Sequence, residues 1–222
     1  MDIEKNIELY NTGFDKDPGR GPNLRYASFD YCYNYFQKFR EQNRIGELSN
    51  DQNIQMSCLQ LGYYLASWGM LRGSAFLLTS VSLPIYKDLI KLISQTPLEV
   101  WNIDVDEYTS QNIRHLIDLS RSIRMSLHYE NSYASDTLVT KVILGVFGSV
   151  PAFDTNFKNG FGYCSINQRS LERIALFYQK NREIIDRIQI RTYDFINGKE
   201  TNRLYPKGKI IDMVFFMEGS EK

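Results

Sequence analysis

The stretch TLVTKVILGVFGSVPAFDTNF, residues 137–157, decides how the rest of the chain is read. With Asp136 before it, its first half is apolar nearly throughout. It is expected to form a short helix over 136–148, capped by Ser135 or Asp136. The helix ends at Phe147–Gly148, a loop carrying Pro151 follows, and one carboxylate, Asp154, then stands between Phe153 and Thr155. Residues 149–162, SVPAFDTNFKNGFG, are expected to be a loop leading into a further turn.

Outward from this stretch the pattern is helical. Phe29, Cys32, Tyr33 and Phe36 recur at helical spacing, which predicts a helix over 28–44 with Ser28 as its cap. Gly46–Asp51 is expected as a loop, with Asp51 capping a helix that runs to about Trp68 through Ile54, Cys58, Leu61 and Leu65. A helix over 84–95 carries Ile85, Leu89, Leu92 and Ile93 inward, and another runs from about Asp106 to Leu127. A long helix is expected over 168–197 and a short one near 207–217. Residues 1–24, which contain the turn-forming DKDPGRGPN, are expected as an irregular lead-in, and 25–222 as a single helical domain. Strand signals are few. The expected fold class is all-α, a single compact domain of seven to nine helices.

Composition narrows the function. The 222 residues carry 26 Lys plus Arg against 26 Asp plus Glu, so a uniformly basic nucleic-acid wrapper is excluded, though a local basic face is not. Hydrophobic residues make up 43% and charged residues 23%, a globular balance. Fifteen tyrosines and thirteen phenylalanines supply a packed core, stacking surfaces, or both. The three cysteines, Cys32, Cys58 and Cys164, are far apart, and the two histidines are His115 and His128, so no metal or other cofactor is expected. The polar N-terminus leads us to expect no signal peptide, and the uncharged run Gln52–Leu71 contains too many amides for a membrane span. A cytoplasmic protein, monomeric and without a membrane partner, is the default expectation.

The order of Phe147, Gly148, Pro151 and Asp154 resembles the core of the helix-hairpin-helix DNA glycosylases, the superfamily of endonuclease III, 8-oxoguanine glycosylase and 3-methyladenine glycosylase II. The resemblance covers about 25 residues plus a compatible helical surround. It implies a helix-hairpin-helix glycosylase-like fold and base excision: a nucleotide flips out of DNA, and Asp154 faces its anomeric carbon. Two departures stand out. The family's Gly-x-Gly hairpin would fall at Asn131–Ser135, NSYAS, where neither glycine is present. Bifunctional members carry a lysine at the helix start, a place that falls on Thr137, with Lys141 one turn deeper and expected to point elsewhere. The resemblance therefore implies a monofunctional glycosylase, a hydrolase without lyase chemistry. One setting it suggests is antiviral defence against phage DNA with bulky modified bases.

The chemistry suits a lone carboxylate. Breaking an N-glycosidic bond builds positive charge on the sugar, which a nearby carboxylate stabilises while orienting or deprotonating water. Read from its residues alone, Asp154 is more simply a helix cap, and only the resemblance brings the catalytic reading level with it. Other candidates for the substrate and DNA surface are Arg25, Tyr26, Trp68, Arg72, Lys141, Phe153, Asn156 and Lys158. Trp68 beside the glycine-flanked Arg72 offers a stacking or phosphate-binding pair, and Arg25 and Tyr26 with Asp30 lead into an aromatic-rich helix. In each case the plainer reading is a buried aromatic, a paired arginine or a capped helix. Arg169, Arg173, Lys180, Arg187 and Arg191 fall on one face of the expected 168–197 helix. A rival reading is therefore a non-enzymatic α-helical module that binds nucleic acid or protein through that face.

Overall fold

In the computed structural model, which describes residues 1–220, the apolar segment after Ser135 is the central post of the molecule. Twelve α-helical segments are present among these residues, several of a single turn. They are α1 (Ile3–Thr12), α2 (Ala27–Glu41), α3 (Ile54–Ser67), α4 (Phe76–Thr79), α5 (Lys87–Gln95) and α6 (Leu98–Trp101). After them come α7 (Ser110–Ser126), α8 (Asp136–Phe147), α9 (Thr155–Phe161), α10 (Gln168–Lys180), α11 (Arg182–Ile185) and α12 (Lys207–Ser220). Two antiparallel hairpins are also present among the described residues, β1 (His128–Tyr129) with β2 (Ser132–Tyr133), and β3 (Arg191–Tyr193) with β4 (Glu200–Leu204). The expected mostly helical character holds.

Helix α8 is buried at every position from Leu138 to Phe147, so it packs on all sides against α2, α3 and α7. A helix that is apolar all round belongs inside. Ser135 caps it by accepting from Leu138 N–H at 3.2 Å, and Gly148 closes it in the left-handed conformation at φ 76°. The segment after Gly148 is fastened back onto α8. Thr140 Oγ1 accepts from Phe153 N–H at 2.8 Å, and Thr137 Oγ1 donates to Phe153 O at 2.7 Å. Asp154 then accepts from Phe157 N–H at 3.0 Å and caps α9. The expected loop over 149–162 thus contains a helix. Helix α9 lies hard against α12: a Cβ on Gly219 would stand 1.8 Å from Asn156 O, so only glycine permits this approach.

Several sequence expectations are corrected. The lead-in is not irregular, because Ile3–Thr12 is a helix capped by Asp2. Its Ile3, Ile7 and Tyr10 keep helical spacing and bury against α12, and Asn6 Nδ2 donates to Val214 O at 3.1 Å. Ser28 does not cap α2; Tyr26 precedes that helix, and Ser28 is buried as its second residue. Asp51 caps nothing: it lies in the turn that follows a 3-10 helix at Ile45–Ser49, and Asn53 is the residue that precedes α3. The helix expected from Pro84 opens as a 3-10 turn, and α7 starts at Ser110 behind the cap Thr109.

The largest correction concerns 168–197. Helix α10 ends at Lys180, where Asn181 Nδ2 bonds back to Phe177 O at 2.8 Å, and the chain turns through α11 into the β3–β4 hairpin. The five basic residues therefore share no helix face. Arg169, Arg173 and Lys180 lie on α10, Arg187 follows α11, and Arg191 lies on β3. The hairpin is bound to α2 through Asn34 and Asp30: Asn34 Nδ2 donates to Tyr193 O at 3.0 Å, and Asp30 accepts from Tyr193 N–H at 2.9 Å.

Candidate active site

Asp154 lies at the C-terminal end of the locked 149–153 segment, and a single turn of α8 separates Thr137 from Lys141. This placement creates a dyad. Lys141 Nζ donates to Asp154 Oδ2 at 3.0 Å, while the other carboxylate oxygen caps α9. The lysine side chain is 3% exposed and the aspartate 18%, so the lysine is nearly buried at the cleft floor while the aspartate is more open to it. Burial pushes the Lys141 ammonium below its usual range, against the pull of Asp154. Its Nζ also lies 4.9 Å from the centre of the Trp68 ring.

The cleft above the dyad holds about 640 Å³. Its walls come from four parts of the chain. The loop of Phe14 to Asp17 and Arg25 forms one side, and the end of α3 with Trp68, Met70 and Arg72 a second. Ser135, Thr137 and Lys141 of the α8 region form the third, and Asp154 to Asn156 with Phe216 the fourth. Trp68 is the last member of an aromatic stack. Tyr26 lies parallel to it at 5.2 Å, Tyr10 lies behind Tyr26 at 4.4 Å, and Phe216 presents its edge to all three rings. Such a stack holds a ring rigidly in place. Arg25 sits over Trp68 at 5.3 Å and pairs with Asp17 at 3.4 Å, and Tyr26 Oη donates to Asp17 at 2.5 Å. Arg72 is exposed on the rim, its side chain laid along Gly69.

The sequence candidates therefore divide. Asp154, Lys141, Trp68, Arg25, Arg72 and Asn156 meet at the cleft. Tyr26 supports Trp68 from behind. Phe153 does not line the cleft: it is fully buried and packs on Phe157 at 5.0 Å. Lys158 is turned toward α8, where its Nζ donates to Thr137 Oγ1 at 3.2 Å. Asp30 is a scaffold residue, buried and bound to Arg20 at 3.0 Å and to the hydroxyl of Tyr205. Burial raises its pKa, against the pull of Arg20. The expectation that Lys141 points elsewhere is overturned, because α8 is enclosed by apolar neighbours and the cleft is where its ammonium finds a carboxylate.

The sequence pattern does not show the contribution of Asp15, Lys16 and Asp17, which fall within the expected irregular lead-in. The turn residues Pro18 and Gly19 were visible, but the docking of α1 that carries this loop to the cleft was not. It also missed Lys209 and Asp212 of α12, a buried pair at 2.7 Å behind the dyad.

Between α7 and α8, at the place where the family's Gly-x-Gly hairpin would fall and both glycines are lacking, the chain forms a β-hairpin. His128 pairs with Tyr133 and Tyr129 with Ser132, and Glu130 takes the positive φ of 51° at the turn. Among the described residues no group of three or more His, Cys, Asp or Glu is placed to hold a metal ion. No helix among them is long and apolar enough to cross a membrane. No protein-family model, curated protein or solved structure matches the chain.

Proposed function

We propose that this chain is a DNA glycosylase that hydrolyses the bond between a modified base and its sugar, with the base flipped into the cleft. The observation that carries the reading is the dyad: Asp154 partly exposed at the foot of the cleft, and the nearly dry Lys141 donating to it at 3.0 Å. In this scheme the C1′–N bond breaks and its electrons leave with the base. The carboxylate of Asp154 stabilises the cationic sugar and takes a proton from the attacking water. The Lys141 ammonium supplies the proton that the departing base requires. Trp68 gives the base a face to stack on, and unpairing is an affordable cost of a few kcal/mol, about the usual scale for base flipping.

The cleft volume of about 640 Å³ falls in the range that accommodates drug-sized ligands, more than a bare base needs. It favours a base enlarged by a substituent, and defence against phage DNA built from such bases is the biological setting we favour. Lys16, Arg25 and Arg72 around the cleft suit the phosphates flanking a flipped nucleotide.

The position of Lys141 supports a second reading, in which its neutral amine attacks C1′ itself and forms a Schiff base. One experiment decides between them. Heavily modified and ordinary DNA are each incubated with the protein, with and without borohydride. Hydrolysis releases free base from the modified DNA, leaves a strand that breaks only on heating or in alkali, and traps no protein on DNA. A trapped adduct that disappears in Lys141→Gln establishes amine attack. Absence of base release from every modified substrate removes the glycosylase reading.

A further inference from the structure

Behind the dyad, on the side away from the cleft, lies a second lysine–aspartate pair to which the chemistry above gives no role. Lys209 Nζ donates to Asp212 Oδ2 at 2.7 Å and to Tyr10 Oη at 3.0 Å. The two side chains are 2% and 8% exposed. Burying two charges is costly, and an apolar pair of similar volume commonly serves stability as well or better. The contacts of this pair run toward the site. Asp212 Oδ1 accepts from Ala152 N–H at 2.9 Å, two residues before Asp154. Lys209 Nζ lies 5.3 Å from the Trp68 ring centre, with Lys141 Nζ 4.9 Å from the same centre. A cavity of about 10 Å³ is lined by Lys141, Asp154, Lys209 and Asp212 together with Tyr64 and Trp68. That is about the space of one water, and its walls offer enough polar groups to hold one.

We propose that Lys209 and Asp212 are positioning residues for the Lys141–Asp154 dyad, acting through the Ala152 N–H and through a single water between the two pairs. Asp212 fixes the backbone that aims Asp154. The ordered water and the two charges set the field in which Lys141 holds its proton. The charged groups facing Lys141 are Asp154 from the segment before α9, and Lys209 and Asp212 from α12; the Tyr64 and Trp68 rings close the remainder. Asp212 favours the ammonium and Lys209 opposes it. The catalytic part of this inference rests on the glycosylase reading; the electrostatic part does not.

The test uses three single variants and one double variant of the full chain. Lysine side-chain NMR titration, with the Lys141 signal assigned by its loss in Lys141→Gln, reads the dyad directly. Asp212→Asn is expected to lower the Lys141 midpoint and Lys209→Met to raise it, since each removes a charge of opposite sign. Midpoints that stay put, or move the same way, overturn the proposal whatever the reaction is. Lys209→Met/Asp212→Leu, an apolar replacement expected to keep the helical circular dichroism, covers the case in which the single variants do not fold. In it, kcat for base release is expected to fall about tenfold or more, the equivalent of one lost positioning contact, while KM changes by less than about threefold. A folded double variant with wild-type kcat overturns the positioning role. If the wild type releases no base while the two midpoints move as stated, the glycosylase reading has failed and the electrostatic coupling stands.

Discussion

Lys141 and Asp154 are separated by 13 positions in the chain and by 3.0 Å in the fold. The distance is set by three independent fastenings. Helix α8 is buried on every face, Thr137 and Thr140 clamp the carbonyl and amide of Phe153, and Asp154 spends its second oxygen on the cap of α9. A carboxylate held this way has one oxygen for structure and one for chemistry.

The first prediction concerns pH. If the Lys141 ammonium protonates the leaving base, kcat must fall as pH rises through the pKa of that ammonium. Burial places it below the usual lysine value of 10.5, so the alkaline limb is expected below that point. Lys141→Arg keeps the charge, but its guanidinium gives up no proton, so base release is expected to fall and the alkaline limb to be lost. An alkaline limb that is identical in wild type and Lys141→Arg assigns the proton to another group.

The second concerns the two roles of Asp154. Asp154→Asn retains an oxygen for Phe157 N–H, whereas Asp154→Ala does not. The alanine variant is expected to be less stable than the asparagine variant by about 1 kcal/mol, the typical worth of a helix cap. Thermal melts should place the alanine variant ~2–4 °C below the asparagine variant. Equal melting temperatures would show that the cap contributes nothing.

Much of this arrangement was legible in the sequence. The apolar helix over 136–148, its Ser135 cap and the carboxylate after Pro151 all stand where the residue pattern put them, and Trp68, Arg72 and Arg25 do meet Asp154 at a cleft. What was not legible depends on distance along the chain. Ile185 and Ile188 keep helical spacing with Leu171 and Ile174, so a local pattern carries the helix through Asn181. The break is made by the side chain of Asn181 and by the β3–β4 pairing, whose partner lies about ten residues further on. The place of Lys141 is hidden for a similar reason. Helical register gives its depth, but only the packing around α8 shows that its ammonium meets Asp154 at the cleft. The role of Asp15–Asp17 was hidden because the docking of α1 against α12 joins opposite ends of the chain.

The third prediction follows from the loss of a continuous basic face. DNA affinity should fall with salt, with a log–log slope of about −0.9 for each phosphate neutralised on a duplex. Charge reversal at Arg25 and Arg72, on the cleft, is expected to flatten that slope. Reversal at Arg173 and Arg187, which sit on separate elements, is expected to leave it nearly unchanged. Binding titrations across a salt series measure both, and a flattening confined to the second pair would move the DNA track to α10 and α11.

The most direct measurement compares wild type with Asp154→Asn on the same modified DNA, with released base read by mass spectrometry and DNA binding read in parallel. The account predicts that wild type liberates the free base, and that the asparagine variant folds and binds DNA but releases base slower by a factor of about 10² or more, the scale of losing one main charge-stabilising group. Release at the wild-type rate by a folded Asp154→Asn protein would contradict it.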